Sequence, residues 1–153
     1  MSRHDLVFAR LEGVERYSLK LAARAVDVLV ALPRGYAGSP RRRYRLVVML
    51  DAADLFGSAA EMSRTLAMSR ETEACLLVSA DGIAATDVDL LAGLVADCRD
   101  RYRIVADEVA LFGHAGVARE LLQSFRKGIA GVSRCIVATT GVFPEALASP
   151  PLT

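Results

Sequence analysis

The chain has no tryptophan, two histidines and three cysteines in 153 residues, and no proline falls between Pro40 and Pro144. Each shortage excludes something. Cys75, Cys98 and Cys135 are odd in number and far apart, so they spell neither a disulfide framework nor a paired-cysteine metal site. Reduced thiols in a cytoplasmic protein are the simple reading. His4 and His114 are the two histidines, and neither Glu-x-x-His nor His-x-x-x-His occurs, so no zinc or carboxylate-bridged centre is legible. Gly-x-Gly-x-x-Gly and the Walker-type phosphate loop are also absent. No apolar run approaches the ~20 residues that a bilayer requires. Arg3, His4 and Asp5 stand where a signal peptide would begin its apolar core, so no export is expected. No catalytic residue, cofactor or metal follows from the motifs.

What is present is apolar. Hydrophobic residues make up 53% of the chain and the formal charge is +1, so the surface as a whole advertises neither nucleic acid nor an anionic membrane. A length of 153 residues fits one domain with its own core. The apolar positions step by three and four over long stretches. Leu91, Leu94, Cys98, Tyr102, Val105, Val109 and Phe112 fall on one side of a helix, with Asp89, Asp97, Asp100, Arg103 and Asp107 on the other. With Ser39-Pro40 and Thr86 as start signals and Pro33 and Gly113 as stops, the pattern predicts helices near 3–32, 40–68, 86–112 and 116–138. Residues 69–85 are open between helix and strand. The predicted fold is all-α, an antiparallel four-helix bundle over residues 1–141 with a loose tail at 142–153.

Three places stand out. The second predicted helix is apolar nearly all round, which points to self-association through Val48, Leu55, Ala59, Met62 and Leu66. Arg41-Arg42-Arg43-Tyr44-Arg45, with Arg34 upstream, puts cations where a helix dipole opposes them. Such a cluster suits phosphate, nucleic acid or an acidic protein partner, or it is a solvated helix start. His114, in Phe112-Gly-His-Ala-Gly116, reads as a loop residue between two helices, since no partner stands at a suggestive spacing.

Two families are called to mind by particular residues. His4-Asp-Leu, Leu32-Pro-Arg-Gly-Tyr-Ala-Gly38 and a following segment with Ala67, Glu73, Leu76 and Leu77 resemble small four-helix proteins of the intervening-sequence type. That resemblance implies an oligomeric, nucleic-acid-associated accessory. Tyr44-Arg-Leu-Val-Val-Met-Leu50 followed by Leu55-Phe-Gly-Ser-Ala59, read as a strand and its exit, resembles the first oxyanion segment of the enoyl-CoA hydratase (crotonase) superfamily. Ala74 to Gly82 and Ile104 to Gly113 follow in the same order. That resemblance implies an α/β fold, although Thr86-Asp87-Val88 replaces a glycine-rich turn and no acid/base carboxylate is placed. The functions expected are therefore a non-enzymatic, homo-oligomeric scaffold or adaptor, a nucleic-acid-associated bundle, or a small-molecule-binding or crotonase-like protein.

Overall fold

The segments Val26-Asp-Val-Leu-Val-Ala31 and Tyr44-Arg-Leu-Val-Val-Met-Leu50 are short, rich in valine and apolar on successive residues. A strand covered on both faces has that composition, because alternate side chains point to opposite sides and both sides are dry. The computed structural model describes residues 13–50 and 75–138, and there both segments are strands.

Six strands form one sheet. β1 (Val14–Leu21) and β2 (Arg24–Ala31) make an antiparallel hairpin in register from Val14 opposite Ala31 to Leu21 opposite Arg24. β3 (Tyr44–Leu50), β4 (Cys75–Ala80), β5 (Ile104–His114) and β6 (Arg134–Ala138) run parallel to one another, and β2 joins them antiparallel to β4. The order across the sheet is β1-β2-β4-β3-β5-β6. Two helices lie between strands: α1 (Val88–Arg101) links β4 to β5, and α2 (Ala118–Lys127) links β5 to β6. Both links step the same way along the sheet. Right-handed crossovers therefore put both helices on one face.

The core follows from that arrangement. Leu91, Leu94, Val95 and Cys98 of α1 and Leu121 of α2 pack with Val28, Val30, Leu46, Val48, Leu76, Val78 and Leu111 of the sheet. Each fully buried leucine is worth roughly 1.5–3 kcal/mol of transfer free energy. The opposite face gathers Leu29, Ala31, Met49 and Leu77, all buried, with Val47 and Phe112 packed against them.

This architecture overturns the four-helix bundle. The predicted first helix is the β1–β2 hairpin over its described part, and the start of the second is a turn followed by β3. The third is helical only to Arg101, after which Ile104–His114 is β5; the fourth is helical only over Ala118–Lys127, before β6. The intervening-sequence resemblance fails with the bundle. The proposed tail at 142–153 lies outside the described residues. Among the described residues no helix is long and apolar enough to cross a membrane.

Candidate functional site

The topology itself marks a location. β3 leads the chain toward β4 on one side, while its neighbour β5 leads toward β6 on the other. Where adjacent parallel strands depart in opposite directions, a crevice opens beyond their carboxyl ends, and ligands of open α/β sheets bind there. In this chain the corresponding place is the sheet edge beyond Leu50 and Gly113, which are partners in the β3–β5 ladder. Val137 of β6 pairs with Gly113 on the other side.

The backbone at that edge turns sharply. β5 ends at His114, Ala115–Val117 form a single 3-10 turn, and α2 begins at Ala118. Strand and helix approach so closely that a Cβ on Gly113 would lie 2.7 Å from Leu121 Cδ2 and 3.5 Å from Ala118 Cα. Glycine lets the two meet there without displacing the Leu121 side chain. Ala118 and Leu121 are buried against the strand end, which fixes the helix start over the crevice. No side chain caps α2. A helix start is a place where backbone N–H groups can meet an oxygen-bearing ligand or water. Behind the turn, Ser133 ties the approach to β6 onto β5: its backbone N–H donates to Val109 O at 2.9 Å, and Val109 N–H donates to Ser133 Oγ at 3.2 Å.

No thiol serves as a ready nucleophile among the described residues. Burial pushes the Cys98 thiol up to about 12, helped by the Asp97 carboxylate, and burial also raises Cys75 and Cys135. A thiol attacks as its thiolate, so raised values leave these groups inert. Among the described residues no group of three or more His, Cys, Asp or Glu side chains is placed to hold a metal ion.

The arginine cluster lies at the opposite end of the sheet. Arg34 and Arg41 sit exposed in the β2–β3 connection. Arg43 Nη1 donates to Ile104 O at 3.2 Å, and Arg42 lies 5.0 Å from the Tyr44 ring centroid. Tyr44 opens β3 and is 2% exposed, so its ring is not free to stack on a base. Arg45 Nε donates to Glu108 Oε2 at 2.8 Å, and that bond holds the Glu108 carboxyl below its usual range. These residues open a strand and not a helix, so the expected conflict with a helix dipole disappears. Of the expected oligomer contacts, Val48 is fully buried in β3 between Val78 and Leu111. Leu55, Ala59, Met62 and Leu66 lie outside the described residues.

His114 was expected between two helices, whereas it is the last residue of a strand that hands over to a helix. The usable signal was Gly113-His-Ala-Gly116 preceded by the run Val109-Ala-Leu-Phe112. A small-residue turn between a buried strand and a helix is a place where a site can sit.

No protein-family model matches the chain, and none of the curated proteins does. Solved structures do share its fold. A ferulic acid esterase aligns at TM-score 0.65 and 11% identity, over 80% of this chain and 56% of its own. The 2,6-dihydroxy-pseudo-oxynicotine hydrolase aligns at 0.66 and 16%, over 84% of this chain and 38% of its own. An IroE-like serine hydrolase from Shewanella oneidensis aligns at 0.64 and 17%, over 80% and 48%. The chain thus spans from 38% to 56% of the length of these three proteins. Neighbours of this kind leave no ground for a helical scaffold, a nucleic-acid-associated bundle or a crotonase-like protein. The chain shares its mixed α/β fold with these solved hydrolase structures.

Proposed function

We propose that this chain is an esterase-type α/β-hydrolase relative whose crevice recognises an ester or its carboxylate product but does not form an acyl-enzyme. The observation that carries the reading is Ala115. In α/β hydrolases the nucleophilic serine sits in Gly-x-Ser-x-Gly, on the sharp turn between a central strand and a helix, beside backbone N–H groups that stabilise the oxyanion. Here that turn reads Gly113-His114-Ala115-Gly116-Val117 between β5 and α2. The first glycine is kept, and the crowding against Leu121 says why. Alanine stands in place of serine and valine in place of the second glycine. A methyl group has no lone pair to attack a carbonyl carbon.

What supports recognition is the donor set. The uncapped start of α2 presents amide N–H groups beyond the strand end, and such groups suit the oxygen of a carbonyl or carboxylate. The free state of Cys75, Cys98 and Cys135 supports a reducing, cytoplasmic setting.

The test has two arms. The full chain is incubated with 4-nitrophenyl butyrate and, separately, with a fluorophosphonate that labels active serines. The expected result is release of nitrophenolate at the buffer rate and no mass increase. Turnover above buffer that survives repurification would favour the competing reading, a working ester hydrolase like the named neighbours, with its nucleophile somewhere other than residue 115. In the second arm, butyrate is added to isotopically labelled protein, and saturable amide shifts are expected at residues 116–118.

A further inference from the structure

The N-terminal edge of the sheet carries a cluster that the ester-binding reading does not use. Arg34, Arg41, Arg42 and Arg43 all belong to the β2–β3 connection, and Arg103 sits on the α1–β5 link beside them. Among the described residues Arg16, Arg24, Arg45 and Arg101 each form an ion pair with a carboxylate, whereas none of these five does. Like charges held together repel, and a protein with a formal charge of +1 has enough carboxylates to have paired them.

Three of the five are nevertheless locked in place. Arg103 donates from Nη2 to Tyr36 O and from Nε to Arg42 O, with its guanidinium carbon 3.9 Å from the Tyr36 ring centroid. Arg42 lies over Tyr44, and the Tyr36 and Tyr44 rings are 5.3 Å apart. Arg43 is bound to Ile104 O. Carbonyls and ring faces orient these guanidinium groups without cancelling their charge. Ordering the cluster in advance removes the entropy that flexible arginines would lose on binding.

We propose that this edge is a docking surface for a carboxylate-rich protein segment. Planar guanidinium groups pair with carboxylates through parallel N–H donors, and arginine and tyrosine are the residue types that carry most energy at protein interfaces. Nucleic acid fits less well. Tyr44 is buried and the Tyr36 face is covered by Arg103, so no ring is left as a stacking platform for bases. The surface lies at the far end of the strands from the Gly113 crevice, so both can be occupied at once.

The test measures fluorescence anisotropy of a labelled oligo-glutamate peptide with the full chain at about 50 mM salt, where the screening length exceeds 10 Å. Saturable binding that fades as salt is added is expected. The variant Arg34→Gln/Arg41→Gln removes two exposed members that hold no side-chain bond among the described residues, and is expected to bind about tenfold more weakly with an unchanged melting curve. The proposal is overturned if the unchanged chain does not bind the peptide, if the variant binds equally well, or if duplex DNA of matched charge binds more tightly than the peptide.

Discussion

Two residues show how the backbone governs this molecule, one by needing glycine and one by lacking it. Gly113 is the crossing point of β5 and α2, where an added methyl would meet Leu121 Cδ2 at 2.7 Å. Leucine can shift, but it is fully buried, so the strain passes into the core. Gly113→Ala is expected to cost about 1–3 kcal/mol, read as a fall in the denaturation midpoint at unchanged slope. An unchanged midpoint would mean that the strand end and helix are not pressed together. Ala22 is the reverse case. It holds φ 52° in the two-residue hairpin turn, a conformation that costs an L-residue roughly 1–2 kcal/mol and glycine almost nothing. Allowing for the extra freedom of glycine in the unfolded chain, Ala22→Gly should stabilise the protein by about 0.5 kcal/mol. A destabilising effect would contradict the hairpin. Neither feature announces itself in sequence: Ala22-Ala23 is a poor turn signal, and Gly113 reads equally well as a helix stop.

Between elements, the contacts explain why the chain looked helical. Leu91, Leu94 and Cys98 are indeed one buried stripe of α1, but Val105, Val109 and Phe112 continue the same spacing inside β5. There Val109, Ala110 and Leu111 are buried in succession, so neither a period of two nor of 3.6 is imposed by the environment. A central strand dry on both faces leaves no periodicity to read. The valine-rich composition of 26–30 and 44–50 was the better signal, because β-branched residues fit a packed sheet.

The hairpin is tied to α1 by polar contacts that no local pattern reveals. Tyr17 donates to Asp97 Oδ2 at 2.7 Å, Arg101 donates to both oxygens of Asp97, and Tyr102 donates to Glu15 Oε2 at 2.7 Å. Burial, then the bond to the carboxylate, raises the Tyr17 hydroxyl well above its ordinary value, and the same causes in the same order raise Tyr102. A group raised on folding keeps its stabilising effect below its unfolded value and loses it as pH climbs toward the folded one. Stability should therefore decline from about pH 10 upward. Tyr17→Phe should make that decline shallower while lowering stability at neutral pH, as followed by denaturation midpoints across the alkaline range. Parallel curves for the two proteins would show that Tyr17 ionises as freely in the fold as outside it.

At the scale of the whole molecule, composition predicted little of the shape. The strand order that creates the crevice depends on long-range pairing, Leu50 with Gly113 and Gly113 with Val137, which sequence spacing cannot encode. Once the sheet is known, residues 113–117 become legible as a turn from β5 into α2, the turn that we propose as the carboxylate site. The most direct test of this reading is an amide-shift titration of the full chain with butyrate, recorded together with its rate on 4-nitrophenyl butyrate. Saturable shifts centred on residues 116–118 with a rate equal to buffer are predicted. Shifts absent from that turn at saturating butyrate, or turnover that belongs to the protein, would contradict it.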